Sequence, residues 1–244
     1  MKIGIPREVK VLEGRVALIP DAAGHLAAQG HAVYLEHDAG RLSGYSDEDY
    51  RKVGVEILPD AASLYAAAQM IVKVKEPQPQ EFGLLRADHL LFSYLHLAAE
   101  PELTDALLKI GLTAVAFETV QVGRQLPLLA PMSDIAGRIA AQIGAHLLHQ
   151  PQGGRGILLG GLPAAERGNV VILGAGTAGG NAALMAAAMG SNVTVFDRNR
   201  DKLAAMRALG PNVTGLYSFD SAIHEAVLQA DLLIGAVLIP GAKA

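Results

Sequence analysis

The chain contains no cysteine and no tryptophan, and only 5% of its 244 residues are aromatic. Without cysteine it can form no disulfide, no thiolate nucleophile and no cysteine-ligated metal site. The scarcity of aromatic rings argues against a surface on which nucleic-acid bases stack. The net charge is −4 and no basic cluster occurs. We therefore expect no nucleic-acid partner.

No signal peptide or membrane span is evident either. The first residues, MKIGIP, lack the apolar core of a signal peptide. Residues 168–196 carry no charge, but Gly and Ala dominate them, together with Asn, Thr and Ser. A membrane span needs about 20 predominantly apolar residues. We therefore expect a soluble cytoplasmic protein that has no membrane partner.

Short apolar runs alternate with helical patterns along the chain. This alternation predicts an α/β fold of mostly parallel sheets with helices on both faces. In the first half the pattern predicts strands over 2–5, 32–36, 55–58, 70–75, 90–96 and 113–118, and helices over 22–29 and 101–110. A longer amphipathic helix follows over 133–149, with Ser133 placed to cap its N-terminus. In the second half it predicts strands over 170–173, 193–196, 213–216 and 232–237, and helices over 177–189, 200–209 and 221–229.

The most informative motif is glycine-rich and directly follows the strand over 170–173. Gly174, Gly176 and Gly179 form a GxGxxG sequence that leads into the next predicted helix at Thr177 and Ala178. The first glycine permits a tight turn, the second lets a pyrophosphate approach the backbone, and the third lets the helix pack close to the sheet. The free N–H groups at the helix N-terminus attract phosphates. The motif therefore predicts a dinucleotide site.

Asp197 strengthens this interpretation because it lies 23 positions after Gly174, near the end of the next strand. A carboxylate there accepts hydrogen bonds from ribose hydroxyls and repels a 2′-phosphate, which favours NAD over NADP. The alternative is a glycine-rich strand and helix that bind nothing.

The elements group into two doubly wound domains joined by a helix. We expect a substrate domain over 1–132, a connecting helix over 133–150 and a Rossmann NAD-binding domain over 151–244. The sequence stops soon after the fourth strand of that last domain, so we expect the domain to be incomplete here.

Lys75 and His96 are the last residues of two predicted strands of the first half, 70–75 and 90–96. Ligands of open α/β sheets bind outside the carboxyl ends of the strands, so we expect both side chains to converge on one crevice. A cation can hold a substrate carboxylate, and a histidine can move a proton near neutral pH. On position alone, ordinary solvated side chains are the favoured interpretation for Lys75 and Arg15, and a structural role at a strand end is favoured over catalysis for His96. The other histidines show no metal-ligand spacing, so we expect no metal site.

Six segments carry a resemblance to a known family: KIGIPRE (2–8), RVALIP (15–20), VKVKEP (72–77), SYLHLA (93–98), LPLLAPMS (126–133) and GGRGILLGG (153–161). In this order, and over essentially the whole chain, they resemble the alanine dehydrogenase family. That family also includes the nucleotide-binding subunit of proton-translocating transhydrogenase and, more distantly, lysine-forming saccharopine dehydrogenases.

The resemblance implies an enzyme that oxidises L-alanine with NAD and water to pyruvate and ammonium, and that also runs the reverse reductive amination. It implies that Arg15 and Lys75 bind the substrate carboxylate and carbonyl. His96 would be the acid/base of the carbinolamine and imine steps. Met132 and Ser133 would contact the substrate and the nicotinamide. The family assembles as hexamers, so a homohexamer is expected.

The resemblance also implies that the three glycines of the motif cradle the pyrophosphate and that Asp197 holds the ribose. The transhydrogenase branch binds NAD(H) but performs no chemistry on a small substrate, so Lys75 and His96 favour the dehydrogenase. A transhydrogenase subunit and a catalytically inactive NAD-binding protein stay open as alternatives. The family places a further catalytic aspartate beyond the strand that ends near Val237, past the last residue of this sequence.

Overall fold

A computed structural model describes residues 1–123 and 125–237 of the chain. The chain divides into two compact units, Met1–Leu126 and Pro127–Ala244. Each contains one sheet in which every strand pair is parallel. The predicted fold class, two doubly wound parallel-sheet domains, is confirmed. Among the described residues no helix combines the length and the apolar character that a membrane crossing requires.

The first unit holds six strands in the order β3-β2-β1-β4-β5-β6. The strands are β1 Lys2–Ile5, β2 Ala32–Glu36, β3 Glu56–Leu58, β4 Met70–Val72, β5 Leu90–Ser93 and β6 Thr113–Ala116. The helices are α1 Pro20–Ala28, α2 Asp47–Arg51, α3 Ala61–Ala67 and α4 Pro101–Ile110.

Each face of this sheet has its own hydrophobic core. Successive residues of a strand point to opposite faces. On β2, Val33 and Leu35 join a cluster that contains Ile5 and Tyr50, whereas Tyr34 packs against a second cluster built around the β4 and β5 strands and helices α3 and α4. The sheet is therefore covered on both sides, as the continuous apolar strand sequences predict.

Strands β4 and β5 both end before the residues that sequence analysis placed at their ends. β4 ends at Val72, three residues before Lys75, and β5 ends at Ser93, three residues before His96. β6 likewise ends early, in a short 3-10 turn over Phe117–Thr119. Just beyond β4 and β5 the N–H groups of Lys73 and Tyr94 still donate to carbonyls of the neighbouring segment. The next N–H groups along the chain donate to side-chain carboxylates instead, so the chain leaves the sheet.

The second unit begins with the long helix α5, Ala130–Leu147. The prediction that Ser133 caps this helix is wrong. Pro131 occupies the first turn, where a missing N–H costs nothing, and Ser133 lies inside that turn with its N–H bonded to the carbonyl of Leu129 at 3.2 Å. The helix therefore begins at Ala130, about one turn before the start predicted at Ser133.

The part of the second unit that the structure describes holds four strands, in the order β10-β7-β8-β9. They are β7 Asn169–Leu173, β8 Asn192–Asp197, β9 Val213–Tyr217 and β10 Leu232–Gly235. The helices between them are α6 Thr177–Ala188, α7 Arg200–Arg207 and α8 Asp220–Leu228. Alternate residues of β7 and β8 pack with the alanines of α6 in one core cluster.

Small residues determine how closely α5 and α6 pack. Gly137 of α5 is buried, and a Cβ at that position would overlap the carbonyl oxygen of Ala178 on α6. The alanines Ala182, Ala183 and Ala186 of α6 are fully buried. The two helices therefore approach at backbone contact distance, which fixes α5 over the start of α6.

Candidate functional site

Lys75 lies on a backbone segment that Glu8 holds in place. The Glu8 carboxylate accepts the N–H of Val74 at 2.6 Å and that of Lys75 at 3.4 Å. Burial raises the pKa of Glu8, although the nearby Lys73 charge and these N–H groups oppose the rise. Lys75 itself is half-buried.

A buried charge cluster underlies this segment. Lys73 is fully buried, and its Nζ lies 2.8 Å from Glu81 Oε1 and 3.4 Å from Glu8 Oε2. The Tyr65 hydroxyl donates to Glu81 Oε1 at 2.8 Å, and burial raises its pKa. Removing one partner of a buried pair typically costs about 3–5 kcal/mol. The cluster therefore anchors the segment that leads to Lys75.

His96 follows β5 with an unusual backbone conformation. Its φ is +51°, in the left-handed region that few residues with a Cβ adopt. Its N–H donates to Glu118 Oε1 at 2.7 Å, and the Leu95 N–H donates to the same oxygen at 3.2 Å. The His96 ring stacks on the Tyr94 ring, with 6.1 Å between centroids and 12° between planes. Main chain and ring are thus both constrained.

Arg15 is exposed and its guanidinium is held by Glu13. Nε donates to Glu13 Oε1 at 2.8 Å and Nη2 donates to Oε2 at 2.6 Å, a two-point carboxylate contact. The hydrogen bond from Arg15 lowers the pKa of Glu13, and the charge of Lys75 lowers it further. A substrate carboxylate would present the same chemistry to this guanidinium.

The charges of the predicted substrate residues act on shared neighbours within the first unit. Lys75 and Arg15 both act on Glu13, and burial raises the pKa of Tyr94 while the Arg15 charge opposes that rise. Tyr94 in turn stacks on His96. A cavity on this unit is lined by Arg15 but by neither of the other two; its lining is Arg7, Glu8, Glu13, Gly14, Arg15, Asp38, Ala39, Arg41 and Leu42.

The glycine-rich loop of the second unit shows a different steric demand at each of its three glycines. Gly174 has φ +100°, and a Cβ there would lie 2.6 Å from the carbonyl oxygen of Ala236. A Cβ on Gly179 would overlap the carbonyl oxygen of Gly174. A Cβ on Gly176 would meet no described atom within 4 Å. The first and third glycines are therefore required by the fold, and the middle one faces open space.

The N-terminus of helix α6 is positioned beside this open space. The helix begins at Thr177 after Gly176, which supplies no side-chain cap. By helix geometry the first N–H groups have no partner within the helix. Thr177 is exposed and Ala178 is half-buried. A dinucleotide pyrophosphate fits this arrangement of uncapped N–H donors and missing side chain.

Asp197, the last residue of β8, is bonded to the glycine-rich loop. Its Oδ2 accepts the N–H of Ala175 at 2.7 Å, and its Oδ1 accepts the N–H of Asn199 at 2.8 Å. The carboxylate is half-buried, and each oxygen can accept a second hydrogen bond. It can therefore hold the loop and a ribose hydroxyl at the same time.

Met132 and Ser133 lie in the first turn of α5, and both are half-buried. The next residue, Asp134, accepts the Asn181 Nδ2–H at 2.7 Å, and the same amide nitrogen donates to the carbonyl of Thr177 at 3.0 Å. The structure therefore brings Ser133 to the same end of the second unit as the start of α6.

The acidic residues that hold these groups were not among the predicted site residues. Glu8 ends the segment KIGIPRE, but no role was predicted for it, and Glu13 and Glu118 lie outside the six segments that carry the resemblance. Lys73 did offer a signal, because a lysine between Val72 and Val74 in an apolar strand sequence must be paired when the strand is buried. Among the described residues one three-residue group, His37, Asp38 and Asp47, offers closely spaced metal-ligand atoms, but it is solvent-accessible and hydrogen-bonded internally.

Comparison with known proteins identifies the family. The profile described as "Alanine dehydrogenase/PNT, N-terminal domain" matches residues 4–136, and the corresponding C-terminal domain profile matches residues 140–244. The alanine dehydrogenase of Bacillus subtilis (strain 168) is 51% identical, over 100% of this chain and 65% of its own length. That of Methanococcus maripaludis is 50% identical, over 100% and 66%. The chain thus spans slightly less than two thirds of these relatives.

Solved structures agree with the sequence comparison. An L-alanine dehydrogenase is 50% identical and superposes with a TM-score of 0.90, over 100% of this chain and 68% of that one. A transhydrogenase from Sinorhizobium meliloti, 24% identical, has a similar fold with a TM-score of 0.81, over 100% and 72%. The resemblance seen in the sequence is confirmed, and the chain belongs to the alanine dehydrogenase/PNT family.

Proposed function

We propose that this protein oxidises L-alanine with NAD and water to pyruvate, ammonium and NADH, and that it catalyses the reverse reductive amination. One observation carries the proposal. In the first unit the His96 ring, on a constrained backbone, stacks on Tyr94. The charge of Arg15 acts on Tyr94 and Glu13, and that of Lys75 acts on Glu13. A histidine and two cations that share neighbouring side chains suit the oxidation of an amino acid.

The three side chains divide the work on the substrate. The planar fork of Arg15 binds the substrate carboxylate, as it already binds the carboxylate of Glu13. The Lys75 ammonium donates to the carbonyl oxygen of pyruvate and polarises it. His96 takes a proton from the water or amine that adds to the substrate carbon, and returns it in the reverse direction.

NAD is the cofactor of this proposal. When bound, it accepts a hydride from the carbon that bears the amine. The N–H groups at the start of α6 bind the pyrophosphate, which occupies the open space above Gly176. Asp197 binds the adenosine ribose. Thr177 and Ala178 contribute backbone donors, and Met132 and Ser133 contact the nicotinamide side. The proposal involves no metal.

We also propose a homohexamer in the cytoplasm. The exposed face of α5 supports subunit contacts, because Ile135, Ile139, Ile143 and Leu147 recur at every fourth residue and each is at least 50% exposed. An apolar stripe of this kind is normally covered by another protein surface.

NADH oxidation by the protein expressed from its complete reading frame tests the function. The proposal predicts oxidation that requires pyruvate and ammonium together. Oxidation by pyruvate alone would indicate a hydroxy-acid dehydrogenase and contradict it. NADH binding without oxidation would favour the transhydrogenase-like or inactive alternatives, and the expected dependence on Lys75 and His96 would then be wrong.

A further inference from the structure

We propose that Glu118 is a positioning residue that fixes His96 in its catalytic orientation. The inference rests on the proposed function, because it assigns a role to Glu118 through the acid/base role of His96. Glu118 lies in the 3-10 turn Phe117–Thr119, which directly follows β6, the strand that pairs with β5. It therefore reaches the carboxyl end of β5 from the neighbouring strand.

The contact between Glu118 and the His96 segment is made through the main chain. Oε1 accepts the N–H of His96 at 2.7 Å, and the N–H of Leu95 lies 3.2 Å from Oε1 and 3.3 Å from Oε2. The carboxylate thus takes two consecutive N–H groups that no longer pair within the sheet. Hydrogen bonds to an ionised acceptor are stronger than those between neutral groups.

The conformation of His96 explains why such a contact is needed. At φ +51° the backbone is in a region that a histidine adopts only when its surroundings determine it. That φ turns the chain out of the strand direction immediately after Leu95. The angle φ describes rotation about the N–Cα bond, and the N–H of His96 lies at the start of that bond. A carboxylate that binds this N–H therefore fixes the residue where the turn begins.

The same 3-10 turn also supports the ring. Phe117 packs edge-on against Tyr94, with 5.1 Å between ring centroids and 82° between planes. Tyr94 stacks on the His96 ring. Glu118 and Phe117 are adjacent, so one short turn constrains the main chain and, through Tyr94, the imidazole. Loss of the Glu118 carboxylate would release the main chain at His96 but leave the ring contact through Tyr94 in place.

The test compares Glu118→Ala, Glu118→Gln and the control Glu102→Gln, which changes an exposed glutamate on α4. Two readouts are taken on the complete protein: hydrogen–deuterium exchange of a peptide covering residues 93–98, and steady-state kinetics of reductive amination. Thermal unfolding and NADH affinity are measured alongside to confirm that each variant is folded and binds the cofactor.

We expect exchange in the 93–98 peptide to rise at least about tenfold in Glu118→Ala. We expect kcat to fall about 10- to 100-fold, as it does when a reacting group is misplaced by about 1 Å, with the KM for pyruvate changed less than about threefold. Glu118→Gln keeps one acceptor oxygen and should fall between Glu118→Ala and the unmodified protein. Glu102→Gln should match the unmodified protein in both readouts.

Unchanged exchange in Glu118→Ala would overturn the inference, because the carboxylate would then not hold the segment. Raised exchange with an unchanged kcat would also overturn it, because His96 would not depend on the contact. A larger change in KM than in kcat would assign Glu118 to substrate binding instead. If the unmodified protein shows no ammonium-dependent oxidation, the proposed function itself fails, and the positioning role fails with it whatever the exchange shows.

Discussion

Acidic side chains hold the backbone segments that carry the proposed functional groups. Glu8 binds the N–H groups that lead to Lys75, Glu118 binds those at His96, and Asp197 binds the glycine-rich loop. A carboxylate can accept several N–H groups at once, and its charge strengthens each bond. Substituting one of these acids should therefore displace the functional group on the segment that it holds. The loss of activity or of cofactor affinity should then exceed that expected from one lost hydrogen bond.

Asp197→Ala should weaken the binding of NADH more than that of NADPH. The loss of a charged acceptor typically costs about tenfold or more in affinity, and a 2′-phosphate would no longer be repelled. Because Asp197 also holds the Ala175 N–H, some loss for both cofactors is expected. Dissociation constants of the two cofactors, measured by fluorescence, check this result.

Asp201→Ala, at an exposed position in the first turn of α7, is the matched control and should leave both constants unchanged. If the ratio of the NADH and NADPH dissociation constants is unchanged in Asp197→Ala, the assignment of Asp197 to the ribose is wrong.

Glu13→Gln should lower stability in a pH-dependent way. The Arg15 hydrogen bond, with smaller help from the Lys75 charge, holds the pKa of Glu13 below its ordinary value of 4.5. A carboxyl whose folded pKa is lowered stabilises the fold above its ordinary pKa, and this contribution is lost as the pH falls through the lowered value. The thermal midpoint of Glu13→Gln should therefore lie below that of the unmodified protein at pH 7, and the gap should close in acid.

Thermal unfolding between pH 3 and pH 7 measures the effect, with Glu102→Gln as the control. A gap that is the same at every pH would show that the loss does not arise from the ionised carboxylate.

Helix α5 against helix α6 is the contact that small residues control most strictly. Gly137→Ala should destabilise the protein by about 1–3 kcal/mol, because the new Cβ would overlap the Ala178 carbonyl oxygen and force the helices apart. The matched change Gly180→Ala, on α6, places its Cβ 3.4 Å from Met206 Cε, an ordinary contact. It should be neutral or gain up to about 1 kcal/mol from helix propensity.

Urea unfolding midpoints of the two variants make the comparison. Equal losses in both would mean that the close approach of α5 to α6 does not limit the size of residue 137.

The positions of the strands and most helices follow from the sequence because each is an apolar run bounded by turn residues. β1, β2 and α4 have the bounds that the pattern predicts. The GxGxxG loop was also predictable, since the φ of Gly174 and the close contacts of Gly179 require glycine whatever binds there.

The ends of β4 and β5 were not predictable in the same way. The apolar sequence continues to Lys75 and to His96, but the ladder stops where Glu8 and Glu118 take over the N–H groups. Those glutamates are 66 and 22 residues away from Val74 and His96 in sequence. A local sequence pattern carries no information about such distant partners. The glutamates that hold the candidate site can therefore be identified only once the fold is known.

The two units supply different parts of the proposed reaction. The first holds Arg15, Lys75 and His96, and the second holds the glycine-rich loop and Asp197. This division predicts that His96→Ala lowers turnover about 10²–10⁴-fold, while the dissociation constant of NADH stays within about twofold. Stopped-flow turnover and equilibrium NADH titration on the same preparation check both halves. A loss of NADH binding would contradict the acid/base role of His96.

Product stoichiometry distinguishes reductive amination by an NAD-dependent enzyme from other reactions that consume NADH. The complete protein is incubated with pyruvate, ¹⁵N-ammonium and NADH, and the alanine is identified by mass spectrometry and chiral chromatography. We expect one ¹⁵N-labelled L-alanine for each NADH consumed. NADH consumption that yields lactate, or unlabelled or no alanine, would contradict it.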